Sequence, residues 1–103
     1  MSKSYKPPIE VAKRAKLARN WKEKYPDKVG DAGTRVGWYR SSQLANRRPL
    51  SIKTIKRMYS FFKRHKKNKS YSGKPYSDAG KVIWEAWGGD AGFKWVKNIL
   101  DKS

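Results

Sequence analysis

The sequence has no cysteine, a single histidine and only eight acidic residues among 103. Without cysteine the chain can form neither disulfides nor thiolate metal sites. No segment approaches the roughly 20 apolar residues of a membrane span, and the N-terminal MSKSYKPP lacks the apolar region of a signal peptide. We therefore expect a protein that is neither secreted by a signal peptide nor inserted in a membrane.

The few ionisable residues that enzymes use are also poorly placed for catalysis. The only histidine, His65, lies between basic residues with no acid or nucleophile beside it. The acids are scattered, whereas hydrolytic carboxylate pairs and metal sites need them clustered. We expect no catalytic residue, no metal and no cofactor, and hence a protein that is not an enzyme.

What the chain has in abundance is positive charge. Its 26 Lys and Arg give a net charge of +18, whereas a magnitude of about 2–8 is usual for a small soluble domain. Aromatic residues make up 14% of the chain and include five Trp, which is unlike a disordered basic tail. The composition predicts a folded basic domain whose partner is a polyanion.

The charge is concentrated in the middle of the chain. No acidic residue occurs between Asp31 and Asp78, and twelve Lys or Arg lie between residues 35 and 69. From Tyr71 onward, five Lys face four acids. This distribution favours a central binding surface followed by a tryptophan-rich packing module.

Apolar residues recur at helical rather than alternating spacing, so we expect an all-α fold of four or five helices with no strand. The length suits one domain over residues 1–103, with a short flexible N-terminus of about residues 1–6. The first helix should follow Pro7-Pro8 and end before Pro26, and the second should run from about Val36 to Asn46. Val11, Ala15, Ala18, Trp21 and Tyr25 should face inward in the first helix; Val36, Tyr39, Leu44 and Ala45 are the apolar candidates in the second.

The third helix gives the clearest pattern. Ser51 is a good N-cap, and the helix after it is amphipathic. Its predicted inner face consists of Ile52, Ile55, Met58, Tyr59 and Phe62. Its opposite face carries Lys53, Lys56, Arg57, Ser60, Lys63, Arg64 and Lys67 without one acid. A solvated helix face usually mixes both signs of charge, although such a face remains the alternative.

The segment from Gln43 to Met58 is similar to a helix-turn-helix. Ala45, Leu50, Ser51 and Ile55 match the small, apolar, capping and buried positions of that motif. Pro49 stands where glycine is usual and cannot adopt a positive φ, so we expect a longer or differently shaped turn. Two helices that merely pack at an angle remain the alternative.

These patterns predict an interface for nucleic acid, with double-stranded DNA favoured. Lysine outnumbers arginine in the third helix, and arginine is the bidentate reader of guanine, so we expect phosphate contacts of low sequence specificity. The predicted contact residues are Arg40, Arg47, Arg48, Lys53, Lys56, Arg57, Lys63, Arg64, Lys66, Lys67 and Lys69.

Two glycine-aspartate units, GDAG at residues 30–33 and GGDAG at residues 88–92, raise the question of a phosphate-binding loop. No GxxxxGK[ST] pattern is present, and an aspartate would repel phosphate. We interpret both units as helix punctuation, in which glycine ends one helix and aspartate caps the next. Ser77 and Asp90 should therefore begin the fourth and fifth helices, which form a C-terminal hairpin.

SIKTIKRMYSFFKRH at residues 51–65, SDAG at 77–80 and IWEAWGGDAGFKW at 83–95 together resemble a small module of tailed bacteriophages, including those of marine cyanobacteria. The resemblance spans most of the chain. It implies a phage protein in the cytoplasm or nucleoid of a bacterial host, or in the virion, but it implies no site. A virion or assembly protein and a host-takeover effector, each acting through a protein partner, are alternatives, and a homo-oligomer is possible.

Overall fold

The computed structural model describes residues 3–29, 34–66 and 79–102. Helices dominate these ranges, which confirms the predicted all-α class. The elements are β1 Ser4–Tyr5, α1 Ile9–Lys24, α2 Pro26–Val29, α3 Arg35–Ala45, β2 Leu50–Ser51, α4 Ile52–His65, α5 Ala79–Ala86 and α6 Gly89–Lys102. Helix α2 is a single turn, so the predicted four or five helices correspond to the five longer ones. No helix in the described ranges is long and apolar enough to cross a membrane.

Helix α1 begins where the prolines predict. Pro8 is its N-cap residue, and the helix ends at Lys24, two residues before Pro26. Its buried face consists of Val11, Ala12, Ala15 and Ala18. The predicted continuation of this face is wrong at Tyr25, which is exposed, because the helix has already ended there. The small alanines let α1 pack closely against α3 and α5.

Helix α3 differs from its predicted inner face. Val36 and Tyr39 are 57% and 63% exposed, so their assignment to the core is wrong. The buried positions are Gly37, Ser41, Leu44 and Ala45. Three of these side chains are small or absent. At Gly37 the neighbouring space is taken by Trp87, whose Nε1 would lie 3.3 Å from an added Cβ. Thr34 caps this helix by accepting a hydrogen bond from the Gly37 backbone N–H at 3.0 Å.

Helix α4 matches its prediction more closely. The Ser51 hydroxyl accepts a hydrogen bond from the Thr54 backbone N–H at 3.3 Å, as expected of an N-cap. Ile55, Met58 and Phe62 are fully buried. Phe61 is buried as well, although it was not predicted, because aromatic side chains of the C-terminal helices also cover that flank of α4.

The core is built around aromatic rings. The Phe62 ring stacks on Phe93 at 5.3 Å between centroids and meets the edge of Trp84 at 5.0 Å. Trp84 is fully buried, and its indole N–H donates to Asp90 Oδ1 at 3.0 Å. These contacts hold α4 against the α5–α6 pair.

The turn between α5 and α6 explains the GGDAG sequence. Gly88 and Gly89 have φ values of 111° and 62°, a region that only glycine adopts without strain. A Cβ on Gly92 would lie 2.9 Å from the Trp87 carbonyl oxygen and 3.0 Å from Phe62 Cζ. Gly88 and Gly89 therefore allow the tight turn between α5 and α6, and Gly92 allows close packing against Phe62 of α4. Asp90 differs from its predicted role, since it lies inside the first turn of α6 and bonds Trp84 rather than serving as N-cap.

Two other predictions of the same kind, the GDAG unit at residues 30–33 and the Ser77 cap, lie outside the described residues. The predicted absence of strands is corrected by one short antiparallel pair, in which Tyr5 is opposite Leu50 and Ser4 is opposite Ser51. Leu50 is buried there. This pairing places part of the N-terminal segment, predicted to be flexible, against the entrance to α4.

Candidate nucleic-acid interface

The outer surface of α4 is a continuous basic surface, which we call the cationic face. Six exposed side chains form it, five on α4 and one at its C-cap: Lys53, Lys56, Arg57, Lys63, Arg64 and Lys66. They extend over about 20 Å, at 1.5 Å of helix per residue. No acidic residue occurs in the helix, so no carboxylate on α4 neutralises any of these charges.

The start of the helix adds to the positive potential. Backbone N–H groups at a helix N-terminus carry partial positive charge and favour anions. The first turn of α4 has no acid that would neutralise them. Ser51, which caps this end, is exposed, and so is Lys53. The N-terminal end of α4 is therefore suited to a phosphate group.

A shallow groove runs along one flank of the cationic face. It is lined by Lys53, Lys56, Arg57, Ser60, Arg64 and Trp87. Trp87 comes from the α5–α6 corner, and its ring lies parallel to Phe61, with 4.4 Å between centroids and 11° between planes. Sequence reasoning assigned Trp87 to packing alone. Its place at the groove depends on a contact with α4 that no local pattern encodes.

Arg40 brings α3 close to this flank. Its Nη1 donates to Gln43 Oε1 at 2.6 Å, while its Nε is buried without a hydrogen-bond partner among the described residues. Burial lowers the pKa of the Arg40 guanidinium below its ordinary value, and the charge of Arg57 lowers it further. Two predicted contact residues from different helices thus lie near enough to repel each other, an arrangement that a bound anion would relieve.

Arg47 was predicted only as a nucleic-acid contact, but it also has a structural role. It adopts a positive φ of 52° in the connection between α3 and α4, where the sequence placed Pro49 in the position of a turn glycine. Its Nε donates to the Pro7 carbonyl oxygen at 2.8 Å. The side chain is therefore partly occupied in holding the N-terminal segment, whereas its neighbour Arg48 is exposed.

The connection from Asn46 to Ser51 has six residues and is longer than a tight turn. This agrees with the prediction from Pro49, which stands where the motif usually has glycine. The two helices that it joins pack mainly against different partners: α3 against α1, and α4 against α6. Helices α3 and α4 hardly contact each other, and each depends on a separate part of the core, so their packing does not support the predicted helix-turn-helix.

At the far end of α4 the predicted residues are only partly described. Lys63 Nζ lies 5.6 Å from the centre of the Tyr59 ring, on the flank away from Trp87. His65 lies 4.7 Å from Phe61, ring to ring, and is half-buried. Lys67 and Lys69 lie outside the described residues.

A second basic surface, between α1 and α3, is organised differently. Lys22 Nζ lies 4.4 Å from the centre of the Trp38 ring, and Arg19 donates to the Trp38 carbonyl oxygen at 3.0 Å. Glu23 lines the same hollow. Because its cations are engaged with Trp38 and an acid lies among them, this surface is a weaker candidate for a polyanion than the cationic face.

Glu85 is the buried acid among the described residues, and its charged partners come from α1 and α5 rather than from α4. Its carboxylate accepts from Arg14 at 3.2 Å and from Lys81 at 3.5 Å. A Cβ on Gly89 would lie 2.6 Å from Glu85 Oε1. Glu85 therefore ties α5 to α1 over the glycine corner. Across the described parts of the chain, no three His, Asp or Glu side chains come together as metal ligands would.

No family model, curated protein or solved structure matches the chain. Its function is therefore inferred from the geometry and charge of its own residues.

Proposed function

We propose that this protein binds nucleic acid without catalysing a reaction, with double-stranded DNA the favoured ligand and the cationic face of α4 the contact surface. The observation that carries the proposal is this face itself: six exposed Lys and Arg on one helix and its C-cap, without a single acid. Self-repulsion of this kind destabilises a domain unless a polyanion is near.

The dimensions of α4 suit duplex DNA. An α-helix with its side chains is about 10–12 Å across, and the major groove is about 12 Å wide. Ile55, Met58 and Phe62 anchor the inner side of the helix in the core, so its outer side is presented rigidly. A rigid helix positions its cations on phosphates at little entropic cost.

The mode of binding follows from the residue types. Lysine is a point charge on a flexible stem, whereas arginine reads guanine through a bidentate contact. Lysines supply four of the six cations of the face, namely Lys53, Lys56, Lys63 and Lys66. We therefore infer mainly phosphate contacts and low sequence specificity.

The proposal that binding is non-catalytic rests on the chemistry of the groove. The described side chains that line it include neither a carboxylate nor an imidazole, the groups that most often activate water or hold a metal. The phage context, with the host cytoplasm, nucleoid or virion as location, is supported by the sequence resemblance alone.

The test is fluorescence anisotropy with labelled random duplex, single-stranded DNA and RNA. One variant reverses three charges of the cationic face, Lys53, Lys56 and Lys63 to Glu. A matched control makes the same change at Lys13, Lys16 and Lys24, which are exposed on α1. Both variants change the net charge equally, and Glu and Lys have similar helix propensities.

We expect duplex binding that the α4 variant abolishes and the α1 control reduces only modestly. Equal losses in the two variants would contradict a defined face. No binding by the unmodified protein at about 150 mM salt, where non-specific affinities are typically 10⁻⁴–10⁻⁶ M, would overturn the proposal and favour a virion, assembly or host protein as the partner.

A further inference from the structure

Trp87 differs from the other tryptophans in its surroundings. Trp84 is fully buried, and Trp38 has Lys22 over its ring. Trp87 is half-buried and is the aromatic residue that lines the groove of the cationic face, as far as the chain is described. A large π-surface thus lies among cations that are suited to phosphate.

The Trp87 ring is firmly held. It stacks on Phe61, which is itself buried in the core. A Cβ on Gly37 would lie 3.3 Å from Trp87 Nε1, so α3 closely approaches the indole N–H edge. The backbone after Trp87 turns through Gly88 at a φ of 111°. A ring held in this way loses little conformational freedom when a ligand stacks on it.

The residues around Trp87 offer groups that can bind the other parts of a nucleotide. A nucleobase offers a π-face to an aromatic ring, and its phosphates are anions. Arg57 and Arg64 line the groove with Trp87, and guanidinium groups pair with phosphate oxygens bidentately. Ser60, which is also in the groove, adds a hydroxyl that can donate or accept a hydrogen bond.

We propose that this groove binds an unpaired nucleobase stacked on Trp87, with its flanking phosphates on Arg57 and Arg64. The ligand class is a nucleotide that is single-stranded or lies outside the base stack next to a duplex. This inference rests on the proposed nucleic-acid function and deepens it. Phosphate contacts along α4 would hold the duplex, and Trp87 would select sites with an unpaired base.

The experiment compares three duplexes of the same sequence: one fully paired, one with a single unpaired adenine and one with an abasic residue at that position. The abasic duplex shares the distortion and phosphates of the bulge but lacks the base. We expect the unmodified protein to bind the adenine duplex about 5- to 150-fold more tightly than the abasic duplex, as base–aromatic stacking implies.

Two variants locate the effect. Trp87→Leu keeps an apolar contact with Phe61 but lacks the ring, and it should bring the ratio of the two affinities close to one while fully paired duplex binding remains. Tyr39→Leu removes an exposed aromatic ring on α3 and should leave the ratio unchanged. Circular dichroism melting checks that each variant folds.

The outcomes separate the two proposals. Equal affinity of the unmodified protein for the adenine and abasic duplexes would overturn the Trp87 inference while leaving duplex binding intact, and this comparison needs no variant. A preference that persists in Trp87→Leu would overturn it as well. Failure to bind any of the three duplexes would overturn the proposed function itself.

Discussion

The dependence of binding on salt is the strictest quantitative consequence of the cationic face. Each phosphate that a protein cation neutralises on duplex DNA releases about 0.9 of a counterion, so the affinity falls with salt on a log–log scale. The six exposed cations of the cationic face set the expected slope at about −5 if all of them contact phosphate. The affinity should then fall on the order of 10³-fold between about 50 and 200 mM salt.

Replacing one lysine measures how much that residue contributes to the salt dependence of binding. Lys56 is exposed at the centre of the face and lines the groove. Lys56→Gln should reduce the magnitude of the slope by about 0.9 and weaken binding to every duplex sequence alike. Lys13→Gln, an exposed lysine on α1, is the control and should leave the slope unchanged.

Anisotropy titrations of labelled random duplex across a salt series give both slopes. A slope shallower than about −2 with tight binding would show that apolar or hydrogen-bonding contacts dominate, and it would refute the phosphate mechanism. The same change of slope in both lysine variants would show that the charge acts diffusely over the whole domain rather than through α4.

Three further predictions concern the structure that supports the face. Gly88→Ala should lower the free energy of unfolding by about 2–4 kcal/mol, because φ is 111° and a Cβ would lie 2.9 Å from Val11 Cγ1. Gly37→Ala should change it by less than about 1 kcal/mol, because the gain in helix propensity offsets the tight contacts of the new Cβ at 3.3 Å. Similar melting of the two variants would contradict the corner geometry. Phe62→Ala should lower the free energy of unfolding, measured with urea, by about 3–5 kcal/mol. A decrease below about 1 kcal/mol would show that the ring contacts of Phe62 are not formed. Glu85→Gln should lower the free energy of unfolding by about 1–3 kcal/mol, since the buried carboxylate accepts two charged hydrogen bonds. Unchanged stability would show that the pairing with Arg14 and Lys81 does not stabilise the fold.

The sequence was most informative where apolar and charged residues lie on opposite faces of one helix. In α4 the apolar residues fall at spacings of three and four, the cations occupy the remaining positions and a serine marks the start. These local signals agree with one another, so the bounds, the cap and most of the buried face could be predicted. The exposed cationic face followed from the same periodicity.

Helix α3 shows where that reasoning fails. Its buried positions are taken by Gly37 and Ser41 rather than by Val36 and Tyr39. Hydrophobic periodicity selects large apolar residues, but a close helix crossing selects small ones. At Gly37 a distant residue sets this requirement, because an added Cβ would lie 3.3 Å from Trp87 Nε1, and nothing within α3 itself reveals that contact.

Two candidate site residues, Arg47 and Trp87, have roles in the structure that depend on contacts with distant parts of the chain. Arg47 bonds to Pro7, 40 residues earlier, which no local motif signals. Trp87 lies at the groove only because Phe61, from another helix, supports its ring. Tryptophan is usually part of a core, and the sequence alone offers no way to tell which of five tryptophans lies at this groove.

The cationic face and the aromatic core are two sides of the same helix, and the placement of Trp87 joins them. Phe61 and Phe62 are adjacent in α4, yet their rings serve different neighbours: Phe62 stacks on Phe93 inside the core, and Phe61 stacks on Trp87 at the groove. A shift in the packing of α4 would therefore move its cations and the indole together. For this reason the core sets the spacing between the groups proposed to bind phosphate and to stack on a base. A ligand that matches this spacing would bind without reshaping the protein. A flexible basic tail of equal charge could supply the phosphate contacts, but it could not hold an indole at a fixed position beside them.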